Sequence, residues 1–230
     1  MAAPQPNATT IDRDLDVLTL INTFTVVPEQ QQRFLDAQLG EYRRLRGQIP
    51  GAVVANLHRG HSGRRAVNYA HHRGVDTMLA WQSSDLMKAH RAVIEPYFER
   101  VAPALFRVAH VAARAADAAR ITAGTEAVIA VLSVDPAALD DLLTSQRDAA
   151  EQLVRDVPGV RAIATHRGLP DPRPGAGPEA RIGLYAVVES EQAARALMEH
   201  DRYRAAFTAE NPYVRAVDAD IYTAVAVSPG

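Results

Sequence analysis

Asn22, Asn56, Asn68 and His72 each fall at an alternating position of a strand-like run. Residues two apart on a strand share a face. Asn22 therefore points with Leu20 and Phe24, Asn56 with Val54 and His58, and Asn68 with Ala66 and His72. A buried amide without a partner costs about 1–3 kcal/mol, so amides on apolar faces suggest a wet or ligand-filled cavity. An Asn side-chain N–H can stabilise a developing oxyanion. His72 is the best candidate base, because an unperturbed imidazole titrates near working pH.

The elements that must position these groups are written twice. At an offset of 108, Val26, Pro28, Gln38, Pro50, Gly51, His58, Arg59 and Gly60 fall on Val134, Pro136, Gln146, Pro158, Gly159, His166, Arg167 and Gly168. At an offset of 116, Tyr69, Ala70, Asp85, Ala89, Pro96, Tyr97 and Val101 fall on Tyr185, Ala186, Asp201, Ala205, Pro212, Tyr213 and Val217. A repeat this long is a duplicated small domain. The divisions expected are a disordered tail over 1–15, a first domain over 16–112, a linker over 113–126 and a second domain over 127–230.

Each copy reads β-α-β-β-α-β. In the first, Val17 to Val26, Ala52 to Arg59, Arg64 to His72 and Leu105 to Val111 read as strands. Phe34, Leu35, Leu39, Tyr42 and Leu45 recur at helical spacing. Val75 to about Arg100 reads as helical, interrupted near Ser83-Ser84 and Pro96. This order predicts two ferredoxin-like domains, each an antiparallel sheet with helices on one face. The bare sheet faces must be covered, so the α+β chain is expected to pack sheet to sheet as an intramolecular pseudo-dimer, a dimeric α+β barrel. The Pro- and Gly-rich segment Leu169 to Ala180 is a longer loop than its counterpart and could reach over the first cavity.

Comparing the copies filters the candidates. Asn22, Asn56, Asn68 and His72 become Ala130, Ala164, Leu184 and Val188. A fold that needed those groups would have kept them twice, so the first copy is expected to be active and the second degenerate. His58 is kept as His166, and a histidine bonding a strand-end carbonyl explains it at least as well as a functional role. Trp81, Tyr97 and Phe98 are expected to line core or cavity. His90 and Arg91 sit on the late helix, where they could close the cavity over a phenolate. His71 and His72 point to opposite faces and cannot chelate one ion, so no metal site is expected.

Composition narrows the function classes. The 230 residues carry a net charge of −2, which gives no electrostatic footprint for nucleic acid or acidic membranes. There is no cysteine, hence no disulfide framework or thiolate nucleophile. Apolar runs are strand-sized, and the first residues lack the pattern of a secretory signal, so a cytoplasmic location is expected. Phosphate loops, a nucleophile elbow and a hydrolase acid pair are missing from the sequence.

The strand over 20–26, Pro50-Gly51, Leu57-His58-Arg59, Val67-Asn68-Tyr69-Ala70, Asp85-Leu86 and Pro103-Ala104-Leu105-Phe106 carry a family likeness. By them the first copy, from Leu18 to about Val111, resembles the antibiotic biosynthesis monooxygenase family. The resemblance implies an oxygenase that tailors an aromatic polyketide, an anthrone or angucycline-type phenol. Such enzymes use dioxygen without a metal and give a quinone or an oxidatively cleaved ring. By the same resemblance Asn22 and Asn68 act on the substrate, His58 matches a second-strand histidine, and His72 stands where a Trp is usual. No cofactor is implied for the anthrone oxygenases, and reduced flavin (FMNH2 or FADH2) for the angucycline enzymes. Asn56, His58, Trp81, Arg91 and Tyr97 are the expected substrate-binding residues. The partners expected are the small aromatic substrate and dioxygen, with the chain a monomeric pseudo-dimer or a homodimer. Two alternatives are a haem-degrading relative and a non-catalytic, cyclase-like binding module.

Overall fold

The computed structural model describes residues 8–170 and 180–230. The nine positions 171–179 of the expected long loop, and with them its proposed reach over the first cavity, lie outside the described residues.

The chain runs β1 (Thr9–Thr10), β2 (Leu18–Val26), α1 (Gln31–Leu45), β3 (Ala52–Gly60), β4 (Arg65–His72), α2 (Val75–Ser83), α3 (Asp85–Ile94) and β5 (Phe98–Ala113). It continues with β6 (Arg120–Ile121), β7 (Glu126–Val134), α4 (Leu139–Asp156), β8 (Val160–Gly168), β9 (Ala180–Val188), α5 (Glu191–Glu199), α6 (Asp201–Phe207) and β10 (Val214–Pro229). The break between α2 and α3 falls at Ser84, whose extended backbone ends one helix and whose hydroxyl accepts from Met87 N–H to cap the next. Its repeat equivalent between α5 and α6 is His200, whose ring accepts from Arg202 N–H. The 3-10 turn Glu95–Tyr97 ends the helical stretch, so the strand begins at Phe98, earlier than the sequence suggested.

Eight strands close into one antiparallel barrel in the order β10-β3-β4-β2-β5-β8-β9-β7. Each ferredoxin-like half supplies four. The two sixteen-residue strands make the closure possible. β5 pairs with β2 through its first part and with β8 of the other half from Phe106 onward. β10 pairs with β7 and then, from Tyr222 onward, with β3. The bare faces expected from the sequence thus become the inside of one barrel, with the long helices outside.

The barrel interior is apolar but carries a crosswise polar pairing. Tyr69, Phe106, Ile129, Tyr185 and Tyr222 fill it. His58 of the first half meets the Tyr185 hydroxyl of the second at 2.8 Å, and His166 of the second meets the Tyr69 hydroxyl of the first at 2.9 Å. All four are conserved by the repeat, His58 as His166 and Tyr69 as Tyr185. Burial pushes the imidazoles down, to about 4 for His58 and His71 and about 3 for His166, so all three are neutral. Tyr185→Phe would strand the His58 ring nitrogen, and we expect a loss of about 1–3 kcal/mol. Thermal melting beside a surface Tyr213→Phe control checks this, since Tyr213 is exposed.

The sequence placed a disordered tail over 1–15, and from Thr9 the structure corrects this. β1 pairs with β6, Ile11 and Ile121 join the interior cluster, and Thr9 Oγ1 donates to Asn56 Oδ1 at 2.8 Å. The expected linker over 113–126 likewise holds β6 and no helix. Both stretches have buried partners, because an alternation as short as Thr9-Thr10-Ile11 finds its ladder only through tertiary contact.

Candidate active site

Outside the barrel, the first half encloses a cavity of about 370 Å³ between its sheet and its helices, a size that accommodates a small organic ligand. The sheet forms the floor. Asn22 of β2 and Asn68 of β4 are direct cross-strand partners, with Leu20 opposite Ala70 and Leu18 opposite His72. Antiparallel partners share a face, so Asn22, Asn68 and His72 are brought to one surface. Above them stand Gln38 and Tyr42 of α1, Met78 and Trp81 of α2, and His90 and Arg91 of α3. The end of β10 adds Ser228 and Pro229, so the second half supplies part of the wall.

The register also removes two candidates. Asn68 pairs with Leu57 on β3, which puts Asn56 and His58 on the opposite, barrel-facing side. The expectation that they sit near Asn22 and Asn68 is therefore corrected. Asn56 donates to Tyr69 O at 2.9 Å, and His58 is occupied by Tyr185. Tyr97 packs against the Phe24–Phe34 cluster and does not line the cavity. Trp81 and Arg91 do line it, and Arg91 is engaged by Glu95 at 3.3 Å.

The cavity is apolar apart from a small set of unsatisfied groups. Gln38 Oε1, Tyr42 OH, Asn68 Oδ1 and His72 Nε2 are all buried without a hydrogen-bond partner. Each such atom is costly, and four facing one cavity mark a surface shaped for a polar ligand. The His72 ring can be oriented from its neighbours. The Thr77 hydroxyl donates its single hydrogen to Arg73 O at 2.9 Å, so toward His72 Nδ1 at 3.3 Å it accepts. Nδ1 then carries the hydrogen, and Nε2 presents a lone pair. Burial lowers the His72 pKa, which keeps the ring neutral.

The second half shows what the same framework becomes when this space is filled. Asn68 corresponds to Leu184, Trp81 to Leu197, His90 to Ala206 and Arg91 to Phe207. All four belong to a continuous core of twenty-six buried apolar residues, against seven in the matching cluster of the first half. The difference is the cavity.

Sequence reasoning missed Gln38, Tyr42 and Glu41. Tyr42 was read only as part of a helical apolar stripe. Its replacement by Ala150 in the second copy was the available signal. Glu41 is also buried, held by Arg44 at 2.8 and 2.5 Å and by His90 Nδ1 at 3.2 Å. It corresponds to Ala149. Gln38 left no such signal, since it is kept as Gln146.

Comparison with known proteins agrees with this picture. Residues 17–93 match the model of the antibiotic biosynthesis monooxygenase family. The tetracenomycin-F1 monooxygenase of Streptomyces glaucescens is 32% identical over 81 residues, covering 35% of this chain and 72% of that protein. A crystal structure of an anthrone oxidase-like protein superposes with a TM-score of 0.80 at 21% identity, covering 96% of both chains. A provisionally assigned monooxygenase from Fusobacterium nucleatum gives 0.62 at 11% identity, covering 94% of this chain and 95% of that one. These two likenesses extend the shared architecture over both halves.

Proposed function

Because this chain belongs to the antibiotic biosynthesis monooxygenase family, we propose that its first half oxygenates a planar, phenolic aromatic polyketide with dioxygen and that its second half is catalytically silent. The observation that carries the proposal is the set of four unpartnered polar atoms lining an apolar cavity, of which only Gln38 Oε1 has an unpartnered counterpart, Gln146 Oε1, in the filled second half. Three of them, Gln38 Oε1, Asn68 Oδ1 and His72 Nε2, can only accept hydrogen bonds, which favours a ligand rich in hydroxyl donors. Apolar walls with Trp81 and Met78 suit its ring faces.

In this reading the substrate loses a proton, and the resulting carbanion or enolate gives an electron to dioxygen. A peroxide forms on carbon and collapses with loss of water. The protein positions the rings and stabilises the oxyanion. Asn22 and Asn68 lie side by side on the cavity floor, where their amide N–H groups serve the second task. His72 Nε2 accepts a phenolic hydroxyl. The name of the relative, tetracenomycin-F1 monooxygenase, supports a polycyclic substrate.

An oxygen electrode tests the proposal. Wild-type protein given hydroxylated anthrones or angucycline phenols should take up one dioxygen per substrate and yield the oxidised ring. Parallel runs with added reduced flavin separate a cofactor-free reaction from a flavin-assisted one. Tight binding of these phenols with no oxygen uptake in either run would make the protein a binding module instead.

A further inference from the structure

We propose that His90, backed by Glu41 and Arg44, moves the proton in this reaction, and that His72 does not. The inference rests on the cavity being an oxygenase site. His90 lines the cavity from α3, its ring 6.4 Å from that of Trp81. Its Nδ1 lies 3.2 Å from Glu41 Oε2, and both side chains are largely buried, at 12% and 7% exposure. Arg44 grips both Glu41 oxygens from one turn along α1. Its guanidinium holds the Glu41 carboxyl below the usual range, so the carboxylate stays charged. Nδ1–H donates to that carboxylate, which leaves Nε2 as the basic nitrogen. A carboxylate that orients an imidazole and stabilises its cation is the arrangement that proton transfer requires.

The two cavity histidines differ in what stands behind them. An imidazolium formed in a dry cavity needs a counter-charge. Behind His72 there is only the neutral Thr77 hydroxyl. Behind His90 there is an anion. Burial lowers the His90 pKa, Glu41 raises it and Arg44 lowers it, and these are the charged groups that act on it. The ring is therefore neutral at rest and has support once protonated. The duplication separates the three residues as a set. Glu41, Arg44 and His90 fall on Ala149, Gln152 and Ala206.

The step balances. His90 Nε2 takes one proton from the carbon to be oxidised, whose electrons reduce dioxygen, and the carbon–oxygen bond forms. His90 returns its proton to the peroxide anion. The oxygen–oxygen bond then breaks as the second carbon-bound hydrogen leaves as a proton, giving a carbonyl and one water. Dioxygen is the oxidant, and His90 ends as it began.

The experiment uses dithranol, a dihydroxyanthrone, mixed anaerobically with the whole chain. Trp81 is the sole tryptophan and lies in the cavity, so its quenching reports binding independently of chemistry. Wild type should quench and develop the red-shifted band of the dithranol anion. His90→Gln should quench alike but lack the band, and in air its kcat should fall about a hundredfold with KM little changed. Glu41→Gln should lose less and move the pH at which the band appears upward, because a weaker base needs a higher pH. A band and kcat retained in His90→Gln overturn the inference. Quenching and a His90-dependent band without oxygen uptake would uphold it and overturn the oxygenase reading. Wild type without quenching or band overturns both.

Discussion

Asn68→Leu is expected to abolish most activity and to make the protein more stable. The substitution copies Leu184, the residue that the second half carries on the same strand position. On the proposed mechanism it removes an amide donor to the developing oxyanion, which costs about 10²–10³ in kcat for a single well-placed donor. It also inserts an apolar side chain into the cavity, so we expect the upper end, about a thousandfold. The same change removes a buried acceptor without a partner, Asn68 Oδ1, worth about 1–3 kcal/mol. For a chain of this size each kcal/mol moves Tm by about 2–4 °C. Oxygen uptake and scanning calorimetry on one preparation check both signs. A variant that keeps wild-type turnover, or that melts earlier, contradicts the view that the first half gave up packing for chemistry.

The second large effect is acid unfolding well above the carboxylate range. His58, His71 and His166 sit inside the barrel with pKa values of about 4, 4 and 3 against an ordinary 6.5. The unfolded chain binds protons near 6.5, and the folded chain binds them only near 4 or below. Stability is then fully present above 6.5 and lost as pH falls from 6.5 through 4. Each histidine contributes on the order of 3 kcal/mol to that loss, and three together rival the whole stability of a typical domain. The expected result is a steep fall in Tm between pH 6.5 and 5, before most carboxylates titrate. A flat Tm across that interval would show that the barrel tolerates the charge. His72, His90 and His110 also have their pKa values lowered by burial, so Gln variants at these three positions are the controls that separate them from the interior three.

The β-α-β-β-α-β order and its duplication were legible because each element carries its own period, caps and turn residues. Asp135 and Pro136 announce the start of a helix, and Pro50-Gly51 marks the end of one. The cavity floor was legible for a related reason. Asn22, Asn68 and His72 alternate with apolar residues on regular strands, and the second copy supplied their apolar replacements. What failed was register. The continuous ladder from Arg59 to Val54 sets Leu57 opposite Asn68, with Asn56 and His58 one residue to either side, and a one-residue shift exchanges the two faces of a strand. Asn56 and His58 were lost to the barrel interior in that way. The pairing of His90 with Glu41 was hidden because they meet across two helices, α1 and α3, and no local pattern fixes how helices face each other. Their joint loss from the second copy, as Ala149 and Ala206, is visible in the sequence. Helical charged residues are usually solvated, and that expectation outweighed it.

The two long strands also set the order in which the molecule can assemble. β5 joins β8 through residues near in the chain, such as Val111 and Ala164. β10 must bring Tyr222 back to Gly60, 162 positions earlier in the chain. Loop closure makes such distant pairings late and slow. Until that ladder zips, β3 has an open edge, which is the state most exposed to self-association. The same zipping sets Ser228 and Pro229 against the cavity. The pocket of the first half therefore lacks a wall until the second half has finished folding. A newly made chain gains its binding site only with its last long-range contact, so ligand binding reports completion of the whole barrel.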